Sequence, residues 1–163
     1  LLTQVAGRAG RGDRAGSVIV QSYTPEHAII ELAAKQDYQG FYEYEIAARR
    51  AGLFPPFSLF IRIMFTGENE HSLECMNTEF ASGLKQRIYS ALEAQGASKN
   101  ELLFICASAA PMKRRQGLFR FETLMKLVRT KHTADVIDAI YAYYDEHRRS
   151  EMGNVEINPG DMF

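Results

Sequence analysis

The sequence predicts an α+β protein, and three observations carry that class. Residues 58–65, "SLFIRIMF", alternate at period two, as do residues 118–128, "LFRFETLMKLV". Apolar residues recur at helical spacing from Leu73 to Leu92 and again from Val136 to Tyr143 or Tyr144. From residue 58 to 163 the patterns follow in the order β-α-β-β-α-β, which matches a ferredoxin-like split βαβ unit.

The elements can be justified in turn. Residues 1–9 read as the end of a helix, broken at Gly10-Arg11-Gly12, and residues 13–16 as a turn. "SVIVQSY" (Ser17–Tyr23) reads as a short β-branched strand. Thr24 is placed to cap a brief helix with Pro25 at its first position and Glu26 in its first turn. Asp37 can cap the next helix, Tyr38–Gly52, where Phe41, Ala48 and either Tyr44 or Glu45 share a face. Glu45 and Arg49 form a favourable i,i+4 pair there. "LFPPF" must end it, because a residue before proline avoids the helical region. This marks a linker helix, residues 37–57, ahead of a second unit.

In that second unit Leu59, Ile61, Ile63 and Phe65 share one strand face. Asn69 caps a long helix with the stripe Leu73, Met76, Phe80, Leu84, Ile88 and Ala91 or Leu92. "LLFICASA" (Leu102–Ala109) reads as a buried strand, and "PMKRRQG" as a turn-like connection. In the third strand Phe119, Phe121, Met125 and Leu127 point inward and Arg120, Glu122 and Lys126 outward. Residues 133–148 form a helix with Val136 and Ile140 inward, and "NVEINP" (Asn154–Pro159) a last strand.

Composition excludes several classes. The chain has 163 residues, 46% apolar and 24% charged, which suits an ordinary globular core. No apolar run approaches the ~20 residues that span a bilayer, so no membrane partner is expected. Cys75 and Cys106 sit in apolar surroundings without metal-ligand spacing; they read as core-lining thiols, and no metal site is expected from this chain. Few cysteines and no signal-like start fit a cytoplasmic setting. The four histidines are scattered and read as surface or capping residues.

The net charge of −1 hides a pattern. Residues 111–131 carry seven cations against Glu122, a net of +6. Residues 135–163 carry seven acids against Arg148 and Arg149, a net of −5. One segment can face an anion that its neighbour repels. Lys113, Arg114 and Arg115 lie between two strands, and Arg120 and Lys126 on the third. Together they form a candidate patch for nucleic-acid phosphates or for an acidic peptide. A solvated, charged sheet face is the plain alternative.

The chemistry-bearing stretch is "QVAGRAGRGDRAG" (Gln4–Gly16). Arg8 and Arg11, three apart, share a helix face and can clamp a triphosphate. Glycines at 7, 10 and 12 allow close backbone approach and a sharp exit, and Gln4 can orient a water or a phosphate oxygen. No G-x-x-x-x-G-K-[ST] string occurs in the chain, so ATP hydrolysis by this segment alone is not expected.

Gln4, Gly7, Arg8, Gly10 and Arg11 resemble the last motif of superfamily-two helicases, in which a second RecA-like lobe donates arginine fingers. Phe41-Tyr42, Glu45, Arg49 and Pro55-Pro56-Phe57 resemble the segment that follows that lobe in the PriA family of primosomal replication-restart helicases. "APMKRRQGLFRFETLMK" (Ala110–Lys126) is similar to that family's basic, aromatic third-strand region. "VEINP" resembles its closing strand, with Glu156 and Asn158 departing from the usual V-D-V-D-P.

The resemblance covers essentially the whole chain and implies an α/β whole. Residues 1–36 would be the end of a RecA-like lobe, 37–57 a linker helix and 58–163 a C-terminal ferredoxin-like domain. It implies an ATP-dependent 3′→5′ DNA helicase of replication restart, with ATP and Mg²⁺ bound mainly upstream and Arg8, Arg11 and Gln4 as catalytic contacts beside Gly7 and Gly10. The family's zinc is bound by a region absent here. Implied partners are forked or single-stranded DNA, the acidic tail of single-stranded-DNA-binding protein and other primosome proteins. The residues by themselves also fit a stand-alone α+β binding module. A small-molecule enzyme is the weakest fit, because no acid, base and nucleophile converge in the sequence.

Overall fold

The computed structural model describes residues 2–7, 9 and 17–160, and the chain falls into two compact units, residues 1–52 and 53–163. The first unit holds α1 (Leu2–Ala6), α2 (Ala28–Ala34) and α3 (Tyr38–Ala51). Asp37 starts α3, its Oδ1 accepting the Gly40 N–H at 2.8 Å. Gly52 closes it by donating to the Ala48 carbonyl at 3.0 Å. Arg49 Nε donates to Glu45 at 2.7 Å, one helical turn away.

Two expectations for this unit are corrected. The helix expected from Pro25 begins at Ala28, with His27 as its cap. The His27 N–H donates to the Thr24 carbonyl at 3.1 Å, which closes a turn and delays the first helical bond. "SVIVQSY" forms no strand: residues 17–23 are exposed, Ile19 to 94%. A strand needs a neighbour for its backbone groups, and the unit has no other strand among the described residues.

The second unit has the cis Pro55-Pro56 bond near its start. It comprises β1 (Ser58–Gly67), α4 (Glu70–Ala94), a 3₁₀ turn (Lys99–Glu101), β2 (Leu102–Arg115), β3 (Leu118–Val128), α5 (Thr133–His147) and β4 (Met152–Ile157). The strands form one antiparallel sheet in the order β2-β3-β1-β4. Asn69 caps α4 as the sequence predicts, accepting from the Ser72 N–H at 2.9 Å. Burial follows the periodicity: Ile61, Ile63 and Phe65 of β1 meet Leu73, Phe80, Leu84, Ile88 and Leu92 of α4 and Val136, Ile140 and Tyr144 of α5. Phe121, Met125 and Leu127 of β3 complete this core.

β2 differs from its expectation twice. It runs on through "PMKRR" to Arg115, and the turn is only Gln116-Gly117, with φ of 52° and 85°. Positive φ at both central positions is what a two-residue type I′ hairpin needs, and Gly117 adopts it without strain. β2 is also an edge strand and largely exposed, not buried. A short apolar run reads the same at an edge as in the middle of a sheet.

Asn77 interrupts the apolar stripe of α4 at 1% exposure. Its Nδ2 donates to the Glu122 carbonyl at 3.1 Å, and its Oδ1 accepts the Thr123 hydroxyl at 2.6 Å. The side chain thus fastens helix to sheet inside the core. Asn77→Leu strands the buried Thr123 hydroxyl, so urea unfolding should show a loss of about 1–3 kcal/mol. Adding Thr123→Val should recover part of that loss, since both polar partners are then gone. Additive losses in the double variant would refute the coupling.

Candidate nucleic-acid interface

Arg8, Gly10 and Arg11 lie outside the described residues. Of the opening motif, Gln4 is exposed on α1 and Gly7 follows its end. The Gly7 N–H donates to the Thr3 carbonyl at 2.9 Å, and a Cβ on Gly7 would stand 3.2 Å from that same oxygen. Glycine therefore suits the tight helix exit. Gln4 lines a cavity of about 440 Å³ with Leu2, Ile29, Leu32 and Phe41. Asp37 is the only charged side chain among its described lining residues, so those residues do not make it an anion site.

The basic residues of the second unit are placed in three different ways. Lys113 is held by Glu70 of α4 at 2.5 Å, and that hydrogen bond and charge keep its ammonium above the ordinary lysine range. Lys113 also lies 5.9 Å from the Phe121 ring. Arg114 stacks over Phe119 at 5.1 Å. Arg115, Arg114 and Lys113 are exposed, and Arg120 is half-buried. Among the described residues, Arg114, Arg115 and Arg120 form no ion pair.

Lys126 is corrected. It is 9% exposed, with Nζ 4.6 Å from the Phe54 ring centre and 5.1 Å from that of Phe60. Phe54 and Phe60 are themselves stacked, 6.4 Å apart. Alternation had placed Lys126 outward, and it does leave the helix side of the sheet, but aromatic rings cover its position. Glu122, also read as outward, is buried at 8% exposure. A buried cation over two rings gains cation–π attraction.

Reading the sequence missed three pairings because their partners are remote in the chain. Glu101 accepts the Thr130 hydroxyl at 2.6 Å and lies 3.0 Å from His132 Nδ1, which fixes the entry to α5. Burial alone would push Glu101 up; the Thr130 and His132 hydrogen bonds and the His132 and Lys131 charges outweigh it and hold it below the ordinary carboxylate range. Arg62 Nη2 meets Glu156 at 2.7 Å, tying β1 to β4. Asn158, at φ 49°, donates its N–H to the Phe60 carbonyl at 2.7 Å. Asparagine tolerates that left-handed backbone well. Both departures in the closing strand thus have structural roles.

The two thiols are exposed, not core-lining. Partial burial and the Glu122 carboxylate push the Cys106 thiol up, away from the reactive thiolate. Among the described residues no group of three His, Cys, Asp or Glu side chains could hold a metal, and no helix is long and apolar enough to cross a membrane.

No protein-family model matches the chain. Its similarity to curated proteins is extensive. It is 29% identical over 161 residues to "Replication restart protein PriA" of Bacillus subtilis, covering 98% of this chain and 19% of that protein. The protein of the same name from Synechocystis is 33% identical over 127 residues, covering 78% of this chain and 15% of that protein. The one from Chlamydia pneumoniae is 33% identical over 126 residues, covering 77% and 16%. The chain therefore spans less than a fifth of the length of these relatives.

Proposed function

The chain belongs to the PriA family of replication restart proteins, as a segment of that longer chain, and on that premise we propose that it is the C-terminal part of an ATP-dependent 3′→5′ DNA helicase that restarts stalled forks. One observation carries the reading: similarity runs through 98% of the chain, from the arginine motif to the last strand. In this reading residues 1–36 close a RecA-like lobe. Arg8 and Arg11 contact the γ-phosphate, Gln4 orients a water or phosphate oxygen, and Gly7 and Gly10 give the backbone close approach. ATP and Mg²⁺ are held mainly outside this segment, and they supply the hydrolysis that drives movement.

The second unit is the DNA- and partner-binding domain. Its strand order, with α4 and α5 sharing the core side of the sheet, supports a ferredoxin-like arrangement. Arg114, Arg115 and Arg120 are the cations that meet phosphate, with Lys113 released from Glu70 when a phosphate competes.

The test titrates the chain with labelled forked DNA and with the acidic tail peptide of single-stranded-DNA-binding protein across a salt series. Salt-sensitive binding to the fork supports the reading, since phosphate contacts release counterions. Binding to the peptide alone would make the unit a partner-docking module without its own DNA contact. Failure to bind either ligand sinks the assignment of the second unit.

A further inference from the structure

The β2–β3 hairpin is built differently from the rest of the sheet. Ala109 is opposite Phe121 and Arg114 is opposite Phe119. Residues 110–113 therefore stand against Arg120 alone, a bulge that contains Pro111. Bulges of this kind increase local twist and re-aim side chains. Beyond it only two rungs remain, Arg114–Phe119 and Arg115–Leu118, before the Gln116-Gly117 turn. β1 ends at Gly67, opposite Phe119, so the last rung and the turn stand past the neighbouring strand. All of residues 111–118 are exposed.

The charges on this tip point both ways. Arg114 shares the face of Phe119, the core side of the sheet, while Arg115 shares the opposite face with Leu118; Arg120 is on that opposite face too, but behind the tip, paired with Thr66 of β1. Residues 111–121 contain no acidic side chain. Cations on one face would suit a single strand laid across the sheet. Cations on both faces of a narrow ribbon suit a slot with phosphate on both walls.

From this we infer that the hairpin tip enters the major groove of duplex DNA, with Arg114 and Arg115 reaching the two opposite phosphate backbones. Two paired strands are about 4.8 Å apart. With side chains they fit a groove about 12 Å wide and about 8.5 Å deep. The minor groove, about 6 Å wide, is too narrow for them. The inference rests on the proposal that the second unit binds DNA, and it adds the groove and the ribbon.

The test uses the full 163-residue chain, a short labelled duplex, one of its strands alone, and an acidic peptide. Duplex should bind more tightly than the strand. Arg114→Ala and Arg115→Ala should each lower the slope of log affinity against log salt by about 0.9, the share of one phosphate contact, and the double variant by about twice that. Lys85→Ala, on α4, should leave the slope unchanged, and matching thermal midpoints exclude misfolding. Duplex binding with unaltered slopes in the arginine variants overturns the ribbon assignment and spares the DNA-binding reading. A strand bound as tightly as the duplex overturns the groove. Peptide binding without duplex binding, or no nucleic-acid binding at all, overturns the inference and the DNA-binding reading together.

Discussion

In the full-length protein, Arg8→Ala or Arg11→Ala is expected to lower DNA-stimulated ATP turnover by about 10³–10⁵-fold, the usual weight of an arginine finger. A transferring γ-phosphoryl group spreads negative charge over its oxygens. A guanidinium placed there stabilises the transition state more than the bound nucleotide. The loss should therefore fall on kcat, with KM for ATP and affinity for forked DNA largely retained. Lysine at either position keeps a charge but not the planar fork, so Arg11→Lys should remain far below the native enzyme. Steady-state turnover with saturating fork DNA measures this directly. Normal turnover in both alanine variants would falsify the finger assignment and leave the motif as a basic helix exit.

The largest stability effect is expected at Phe65. Its side chain is fully buried on β1, edge-on to Phe80 of α4 at 5.6 Å, and its Cα partners are Phe121 of β3 and Met152 of β4. Four elements therefore close around one ring. Phe65→Ala opens a cavity that none of them can fill alone, and should cost about 3–5 kcal/mol. Phe65→Leu keeps much of the volume and should cost less. Urea unfolding followed by far-UV circular dichroism reads both. A loss below about 1 kcal/mol for Phe65→Ala would place it among ordinary surface substitutions and contradict the packing.

The sheet and its two long helices were legible because each presents a strict period over many residues. Asn69 and Asp37 were legible as caps because capping is local chemistry. Positions settled by distant partners were not. Asn77 breaks an apolar stripe, and its justification, Thr123, is 46 residues away. Lys126 could be placed on a face by alternation, but alternation does not say that Phe54 and Phe60 cover that face. "PMKRR" has the proline and charge of a loop, yet an edge strand with a bulge tolerates both. "SVIVQSY" has strand propensity without a strand to pair with. The candidate site was legible as a charge run. The structure divides it: Lys113 bound to Glu70, Lys126 covered, Arg114 stacked on Phe119, and Arg115 and Arg120 on the opposite face of the sheet.

None of α1, α2 and α3 contains a buried residue, and this bears on how the chain melts. Cooperative unfolding requires apolar contacts that are lost together, and local opening is cheap where they are few. The helices of the first unit should then exchange their amide hydrogens early, at free energies far below those of β1 and α4. The chain has no single unfolding free energy. A denaturation curve reports the second unit, with a slope set by the surface that unit alone exposes.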